Sequence, residues 1–384
     1  MRIVYLLTSL GVGGAEKQAL AVAERMAKRG HTVALVVLMP RLHEEWPTAI
    51  PTLHLNVRKT PASVLRGFTC GRDFLREFRP DLVHSHSFHA NIFARLLRLA
   101  GPPFDVISTV HNVYEGRWWR MVAYRLTDSL SRRTVAVSEA AAQRFTRLKA
   151  VPKRKCSVIL NGIDLNDTDV AGFAPDAERR AHIRAEMEIA AGSAEFVWLA
   201  VGRLAPAKDY PNLLRAFSVV CVQRPAARLW VAGDARGDQR APLEALAKEL
   251  RIDGAVRWLG LRRDMPSLLG AADAFVSASA WEGMRLAVGE AMAMAKPIVA
   301  TDVGGVHELV GDAGVVVPAK DHRALAEAML TTMQESREAL AMRGRAARER
   351  VLRQFGMDAT ADTWEALYGS LIVNRESRSV NREP

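Results

Sequence analysis

Residues 274–293 have the sequence AFVSASAWEGMRLAVGEAMA, in which a short apolar run precedes a longer one. The run Ala274–Val276 is typical of a buried β-strand, and the alanine- and methionine-rich run after Gly283 is typical of a helix. Glu282 then lies in the loop at the carboxyl end of the strand, and Glu290 lies about two turns into the helix. Ligands of open α/β sheets bind at such strand ends. The segment therefore predicts an α/β fold with a ligand site that contains two carboxylates.

The spacing of these two glutamates indicates the kind of ligand. Eight residues of helical rise span roughly 12 Å, which is close to the distance from a hexose across a diphosphate to a ribose. One carboxylate can accept hydrogen bonds from the sugar and the other from the ribose, while free N–H groups at the helix start hold the phosphates. We therefore expect a site for a sugar nucleotide.

Outward from this segment, short apolar runs alternate with longer helical patterns in each half of the chain, and a polar stretch at 161–176 separates the halves. This alternation predicts parallel sheets, and hence two Rossmann-like, doubly wound domains facing a central cleft. We place the domains at residues 1–175 and 176–355. Residues 356–384 are predicted to form a C-terminal helix that packs back toward the N-terminal domain, and then a polar tail.

The charge of the chain is unevenly distributed. Of its 384 residues, the first 175 contain 25 Lys and Arg against 14 Asp and Glu, whereas the remainder contains 28 of each, so the first half carries the whole net charge of +11. A basic domain indicates an anionic partner. Arginines and aromatic residues share one stretch at residues 117–125, and this mixture is typical of a lipid headgroup interface. We therefore predict binding to an anionic membrane surface, with simple solvated helix faces as the alternative.

Other features limit the location and the partners. No apolar run approaches the roughly 18 residues of a spanning helix, and the short apolar start is better explained as a first strand than as a signal peptide. Cys70, Cys156 and Cys221 have neither metal-ligand spacing nor an even number for disulfides, which predicts a reducing cytoplasm. A cytoplasmic protein, with peripheral attachment to the membrane through its basic domain, fits these observations. No nucleic-acid-binding motif accompanies the positive charge, so no nucleic acid partner is expected.

The loop Gly11-Val12-Gly13-Gly14-Ala15-Glu16 follows the first strand and opens a helix. Glycine lets the backbone approach a ligand, and a helix N-terminus favours phosphate. The loop is not a dinucleotide fingerprint, because Glu16 occupies the third glycine position and no acidic residue closes the second strand. We expect Gly13, Gly14 and Glu16 to contact the substrate, and a tight turn without a ligand is the alternative.

A second loop follows the predicted strand 196–201. It contains Gly202, Arg203 and Lys208, and two cations five residues apart suit a diphosphate, with arginine as a planar fork and lysine as a point charge. These cations and a helix dipole can carry the charge of a leaving group, so no metal ion is required.

Histidines follow two strands of the first half. His111 comes directly after the predicted strand 106–110 and can donate to a phosphate or a sugar hydroxyl, although a purely structural histidine is the alternative. His84, His86 and His89 suggest a metal site, but no fourth ligand has a telling spacing, so we predict no metal.

Together, the motifs of the chain resemble the GT-B-fold retaining glycosyltransferases of family 4. The match runs over nearly the whole length and rests on the order and spacing of several short motifs. These are Gly13-Gly14-Ala15-Glu16, Val137-Ser138, Asn161-Gly162-Ile163-Asp164, Gly202-Arg203 with Lys208-Asp209, Gly233-Asp234, Glu282 to Glu290, Thr301-Asp302-Val303-Gly304-Gly305, and Glu308.

The resemblance implies roles for particular residues. Arg203 and Lys208 would bind the donor diphosphate, Glu290 the ribose and Glu282 the transferred sugar. The loop Gly283-Met284-Arg285-Leu286 would hold phosphate through its N–H groups, Gly14 would approach the donor from the other domain, and His111 would line the reacting centre. The implied catalytic set is Glu282, His111, Arg203 and Lys208.

The same resemblance implies a reaction. A hexosyl group would move from a nucleotide-diphosphate donor, UDP slightly favoured over GDP, to a hydroxyl of a glycan or polyprenyl-linked acceptor. It implies retention at the anomeric carbon, no metal cofactor, and closure of the domains over the nucleotide sugar, which is a co-substrate. Synthesis of a surface polysaccharide such as lipopolysaccharide or capsule is the expected setting. A sugar-nucleotide epimerase or hydrolase of the same fold, or an inactive scaffold, remain alternatives.

Two positions depart from the family pattern. Many members have proline where this chain has Arg285, and glycine where it has Ala295. Arg285 adds a cation beside the expected phosphate site, so we expect it to affect donor choice or to contact the acceptor. Ala295 is expected to affect packing only.

Overall fold

The structure is a computed structural model that describes residues 1–11, 13–42, 45–164, 177–190, 192–234 and 238–380, with side chains described as far as residue 373. The chain divides into two compact units. The first comprises residues 1–162 together with the segment that starts at Met357, and the second comprises residues 163–356. The division thus falls at the beginning of the polar stretch.

The first unit contains a seven-stranded parallel sheet in the order β3-β2-β1-β4-β5-β6-β7. Its central strands are buried on both faces, as is usual when helices cover both sides of a parallel sheet, although they include polar residues such as His84 and His86. The elements are β1 (Arg2–Leu7), α1 (Gly14–Lys28), β2 (Thr32–Val37), β3 (Thr52–His54), α2 (Pro61–Phe78), β4 (Leu82–His86), α3 (Phe88–Leu97), β5 (Asp105–Val110), α4 (Trp119–Leu126), β6 (Arg133–Ala136), α5 (Glu139–Arg147) and β7 (Cys156–Val158).

The second unit contains a six-stranded parallel sheet in the order β10-β9-β8-β11-β12-β13. The order reverses direction between β8 and β11, which makes their carboxyl ends the switch point where such folds bind ligands. The elements are α6 (Ala177–Glu186), β8 (Phe196–Val201), α7 (Tyr210–Gln223), β9 (Ala227–Ala232), α8 (Arg240–Glu249), β10 (Val256–Gly260), α9 (Met265–Ala271), β11 (Ala274–Ser277), α10 (Leu286–Ala293), β12 (Ile298–Thr301), α11 (Val306–Val310), β13 (Val315–Val317), α12 (His322–Gln334) and α13 (Arg337–Gln354).

The last helix, α14 (Met357–Val380), belongs to the first unit and packs on α1. One face of it is buried at helical spacing, at Met357, Ala361, Trp364, Tyr368 and Leu371. Ion pairs flank this face, with Arg25 Nε 2.6 Å from Asp358 Oδ1 and Arg29 Nη1 2.6 Å from Glu365 Oε2. An apolar stripe flanked by charges explains why this distant segment folds back onto the start of the chain.

The expected fold of two Rossmann-like α/β domains is confirmed, and the predicted strands 106–110, 196–201 and 274–276 agree with β5, β8 and β11 to within one residue. The sequence pattern missed β3, because three residues are too few to show a period. It also missed α6, which buries only Ile183 and is otherwise polar. Glu290 lies about one turn into α10 rather than two, because the helix begins at Leu286. The helical-rise argument for the distance between Glu282 and Glu290 was therefore wrong.

Candidate active site

Two loops lie at the switch point of the second sheet. One follows β8 and contains Gly202, Arg203 and Lys208, and the other follows β11 and contains Glu282 and Arg285. Because β8 and β11 are hydrogen-bonded neighbours, these loops meet although they are far apart in the sequence. The structure thus brings together the cations and the carboxylate that were predicted to form a donor site.

Glu282 is the centre of this arrangement. Its Oε1 accepts hydrogen bonds from Lys208 Nζ, from Arg285 Nη1 at 2.6 Å and from Ser279 Oγ at 2.9 Å. Its Oε2 has no hydrogen-bond partner among the described residues. Three donors on one oxygen hold the carboxylate in a single orientation and leave the other oxygen able to accept from a ligand.

The charges around Glu282 are not balanced. Burial would raise the pKa of this carboxyl, but the positive charges of Lys208 and Arg285 outweigh burial and lower it below its usual value, so Glu282 is ionised at neutral pH. Burial, followed by the charge of Arg285, lowers the pKa of Lys208 to about 8. Two cations therefore share one carboxylate, and the group as a whole favours an additional anion.

Arg285 connects the two loops. It is only 5% exposed and occupies the N-cap position of α10. Its Nη2 donates to the carbonyl oxygen of Val201 at 2.5 Å, and its Nη1 also donates to Ser279 Oγ at 2.8 Å. Within the described part of the chain, its buried Nε has no hydrogen-bond partner. The side chain that departs from the family pattern is thus a structural tie across the switch point as well as a cation.

Close backbone contacts hold the loop of Glu282 from the other side. Gly304 has a φ of +58°, and a Cβ on it would lie 2.4 Å from the carbonyl oxygens of Glu282 and Gly283. The N–H of Gly305 donates to the Gly283 carbonyl oxygen at 2.6 Å. Only glycine fits such an approach, which explains the glycine at position 304.

The other predicted donor residues have different environments. Arg203 is exposed and lies near enough to Lys208 for its charge to affect the ammonium group. Met284 is buried, Leu286 is the first residue of α10, and Glu290 is half-buried on the same helix. Arg203 therefore remains accessible to a ligand.

The glycine-rich loop of the first unit is described apart from Val12. Gly13 is the N-cap of α1, and a Cβ on it would lie 2.4 Å from Glu16 Oε2. Ser9 Oγ donates to Glu16 Oε1 at 3.1 Å. The carboxylate of Glu16 thus lies over the beginning of α1, next to Gly13 and Gly14.

His111 is also in the first unit and belongs to a buried histidine cluster. Its Nε2 lies 2.9 Å from His86 Nδ1, and the His86 ring packs against that of His84 with 4.1 Å between centroids. Burial lowers the pKa of His111 to about 4, so its ring is neutral at neutral pH. Sequence reasoning considered His86 only as a metal ligand, although the alternation of His84 and His86 on one strand already places them on one face. The described residues include no group of three or more histidine, cysteine or acidic side chains that could hold a metal ion.

The aromatic stretch around α4 is exposed. Trp118 is 79% exposed and Leu126 is 76% exposed. Trp119 and Val122 lie between them and are also exposed, so the four side chains form one face of the helix. Arg117 and Arg125 flank this face. Arg120, by contrast, is packed over the ring of Phe88, so we do not count it in this surface, which we call the α4 face. No helix in the described ranges is both long and apolar enough to cross a membrane.

Comparisons with known proteins identify the family of the chain. The family model Glycosyl transferases group 1 matches residues 195–335, and the model Glycosyltransferase Family 4 matches residues 12–167, which together are most of the chain. A galactosyltransferase of Escherichia coli, UDP-Gal:alpha-D-GlcNAc-diphosphoundecaprenol alpha-1,3-galactosyltransferase, is 26% identical over 78% of this chain and 78% of its own length. The D-inositol 3-phosphate glycosyltransferase of Kineococcus radiotolerans is 27% identical over 94% of this chain and 92% of its own.

A solved structure defines the architecture. Anabaena HepE in complex with UDP and glucose has a TM-score of 0.82 at 20% identity, covering 96% of this chain and 100% of HepE. The fold is therefore that of the GT-B glycosyltransferases. With both family models matched, the chain belongs to the family 4 glycosyltransferases, and it is an enzyme of that class.

Proposed function

We propose that this enzyme transfers a sugar from a UDP-sugar to a hydroxyl of a polyprenyl-linked glycan, with retention of the anomeric configuration. The observation that carries the proposal is the environment of Glu282, whose Oε1 is held by three donors while Oε2 has no partner among the described residues. A carboxylate fixed in this way can accept hydrogen bonds from sugar hydroxyls without losing its orientation. Such preorganisation is what a sugar-binding carboxylate requires.

The donor diphosphate matches the surplus charge of the site. Lys208 and Arg285 share one carboxylate, and Arg203 is exposed beside them. A diphosphate leaving group would neutralise this surplus, and the cations would stabilise the charge that develops as the bond to the sugar breaks. We therefore assign diphosphate binding to Arg203 and Lys208, ribose binding to Glu290, and phosphate contacts to the N–H groups of residues 283–286. On this assignment no metal ion is needed.

The environment of Glu282 also bears on the stereochemistry. A carboxylate that is paired with two cations has a lowered basicity and is a weak nucleophile. This disfavours a covalent glycosyl–Glu282 intermediate. We propose instead that the acceptor hydroxyl attacks from the face from which the diphosphate departs, while His111 lines the reacting centre. Gly13, Gly14 and Glu16 are assigned to substrate binding.

The choice of UDP and of a lipid-linked acceptor draws on relatives. The Escherichia coli relative is named for UDP-galactose and a diphosphoundecaprenol acceptor, and HepE was solved with UDP and glucose. Both names favour UDP over GDP, and the first supports a lipid-linked acceptor.

Thermal-shift measurements with UDP, GDP and ADP test the donor site, on wild type and on Glu290→Ala. At 100 times its dissociation constant a ligand adds about 2.7 kcal/mol of stability, which is a shift of a few degrees in a protein of this size. We expect a shift with UDP that is lost in the variant. An equal shift with all three nucleotides, or no shift, would contradict the proposed donor.

Release of UDP distinguishes transfer from the alternatives. A transferase releases UDP from a UDP-sugar much faster when an acceptor is present, whereas a hydrolase releases it at the same rate without one. An epimerase converts the sugar nucleotide without releasing UDP. Membrane-extracted lipid-linked oligosaccharide is the acceptor probe, and we expect it to increase UDP release.

Because the proposed acceptor is lipid-linked, the proposal includes binding of the enzyme to a membrane surface. The α4 face presents apolar side chains between two arginines, which suits anionic lipid. We expect wild type to sediment with vesicles that contain anionic lipid, and Trp118→Ser/Leu126→Ser/Arg125→Ser to remain in the supernatant. Val222, which is 82% exposed on the second unit, provides the matched control Val222→Ser. Unchanged sedimentation of the triple variant would refute the membrane assignment.

A further inference from the structure

His86 and His111 of the first unit are hydrogen-bonded to each other, and their surroundings indicate which ring nitrogens carry the protons. His86 is the last residue of β4 and His111 follows β5 directly, so the two rings meet at the carboxyl ends of neighbouring strands. His86 Nδ1 and His111 Nε2 are 2.9 Å apart, which is a hydrogen bond. Both rings are buried, and burial lowers the pKa of each. Two neutral imidazoles can form this bond only if one nitrogen carries the proton and the other accepts it.

The second nitrogen of His86 decides between the two arrangements. His86 Nε2 is enclosed and has no hydrogen-bond partner among the described residues. If the proton of His86 were on Nε2, a buried N–H would be left unpaired, and orphaned buried N–H groups are rarer than unpaired acceptors. The proton therefore belongs on His86 Nδ1, from which it is donated to His111 Nε2.

Other contacts fix the ring of His86 in this orientation. The ring of His84 packs against it, and His84 is itself held from both sides, with Nδ1 2.7 Å from Tyr368 Oη and Nε2 2.7 Å from Thr109 Oγ1. Tyr5 packs on the His86 ring as well, with 6.0 Å between centroids. His86 thus cannot turn to expose its other nitrogen without disturbing this packing.

We propose that His86 is a positioning residue that holds neutral His111 in the tautomer with its proton on Nδ1. His111 Nδ1 has no partner among the described residues, so in this tautomer the ring offers an N–H donor to a ligand and no free lone pair. One consequence of the inference rests on the proposed function: His111 donates to a sugar or phosphate oxygen and does not act as a base toward the acceptor hydroxyl. The tautomer itself is independent of the substrate.

Nitrogen-15 NMR of the full-length labelled protein tests the tautomer, because long-range proton–nitrogen correlations distinguish protonated from bare ring nitrogens. Spectra of His86→Phe and His111→Asn assign the signals. We expect His111 to be protonated on Nδ1 in wild type and to shift toward the Nε2-protonated form in His86→Phe. In His86→Asn the side-chain amide replaces the Nδ1–H donor, so His111 should keep its proton on Nδ1. Protonation of His111 on Nε2 in wild type, or an unchanged tautomer in His86→Phe, would overturn the proposal.

Turnover separates positioning from a general structural role. With UDP release from UDP-glucose and UDP-galactose in the presence of membrane-extracted lipid-linked oligosaccharide as the measurement, we expect kcat to fall about 10-fold in His86→Phe, below the hundredfold cost of misplacing a group at the reacting centre. We expect His86→Asn to restore it to near the wild-type value. Equal losses in both variants would count against positioning. If wild type released no UDP, the proposed function would fail while the NMR result would still decide the tautomer.

Discussion

The two units hold their proposed functional residues by different physical means. Around Glu282 in the second unit, full charges oppose each other, and Lys208 and Arg285 both contact one carboxylate oxygen. Around His111 in the first unit, the groups are neutral imidazoles and hydroxyls that are linked by single hydrogen bonds and ring packing. The first arrangement depends on pH and attracts anions. The second depends on shape and on which nitrogen carries a proton.

The largest expected effect comes from removing the negative charge of Glu282 in the second unit. Glu282→Gln leaves Lys208 and Arg285 without a counter-charge and removes the ionised acceptor for the sugar. We expect UDP release from UDP-sugars to fall about 100-fold or more, and the free energy of unfolding to fall by about 3 kcal/mol because an ion pair with low exposure is broken.

The control for Glu282→Gln is Glu244→Gln, which breaks an exposed ion pair with Arg240 on α8. This change should alter the unfolding free energy by no more than about 0.5 kcal/mol and leave turnover unchanged. If Glu282→Gln behaved like its control, the charged cluster would have no role in donor binding.

An intermediate effect is expected on the pH dependence of nucleotide binding. Lys208 in the free enzyme has a pKa of about 8, lowered first by burial and then by Arg285. UDP binding should therefore weaken as pH rises through 8, because the ammonium group loses its charge. Arg285→Met removes a neighbouring like charge, which raises the pKa of Lys208 and moves this weakening to higher pH by about one unit.

Isothermal titration calorimetry gives the dissociation constant of UDP at pH 7 and at pH 9. The ratio of these two constants, determined separately for each variant, measures the effect. Arg203→Met is the matched control, because Arg203 is exposed and has the smallest influence on Lys208. The ratio should change strongly in Arg285→Met and little in Arg203→Met. The same ratio in both variants would show that Arg285 does not affect Lys208.

The smallest effect is expected from one hydroxyl in the neutral cluster. Tyr368 Oη lies between Tyr5 Oη at 3.1 Å and His84 Nδ1 at 2.7 Å. Tyr368→Phe leaves both groups buried without this partner, so we expect a loss of about 1–3 kcal/mol in urea unfolding and no change in UDP binding.

The corresponding tyrosine-to-phenylalanine change in the second unit, Tyr210→Phe, should have a different effect. Tyr210 Oη donates to the Gly202 carbonyl oxygen at 2.6 Å, and this glycine lies in the loop of Lys208. Tyr210→Phe should therefore weaken UDP binding as well as stability. If both tyrosine variants had the same effect on UDP binding, the separation between the two units would not hold.

Much of this arrangement is predictable from local sequence, and the errors have specific causes. The loops of Glu282, Lys208 and His111 were placed at the carboxyl ends of strands because each follows an apolar run directly. The position of Glu290 in its helix was wrong because the loop before α10 extends to Arg285, which caps the helix without a helical conformation. Ser279 and His86 were not predicted as partners of Glu282 and His111, since nothing in their own segments indicates those contacts.

By itself, the sequence determined most of the order of strands and helices, the position of the candidate residues at the carboxyl ends of strands and the class of enzyme, because periodicity and short motifs are local properties of the chain. Only the tertiary structure decided that Lys208 and Arg285 meet on one oxygen of Glu282 and that His86 meets His111. The physical reason is strand order. Hydrogen bonding between β8 and β11, and between β4 and β5, brings together side chains whose separation along the chain no local pattern records.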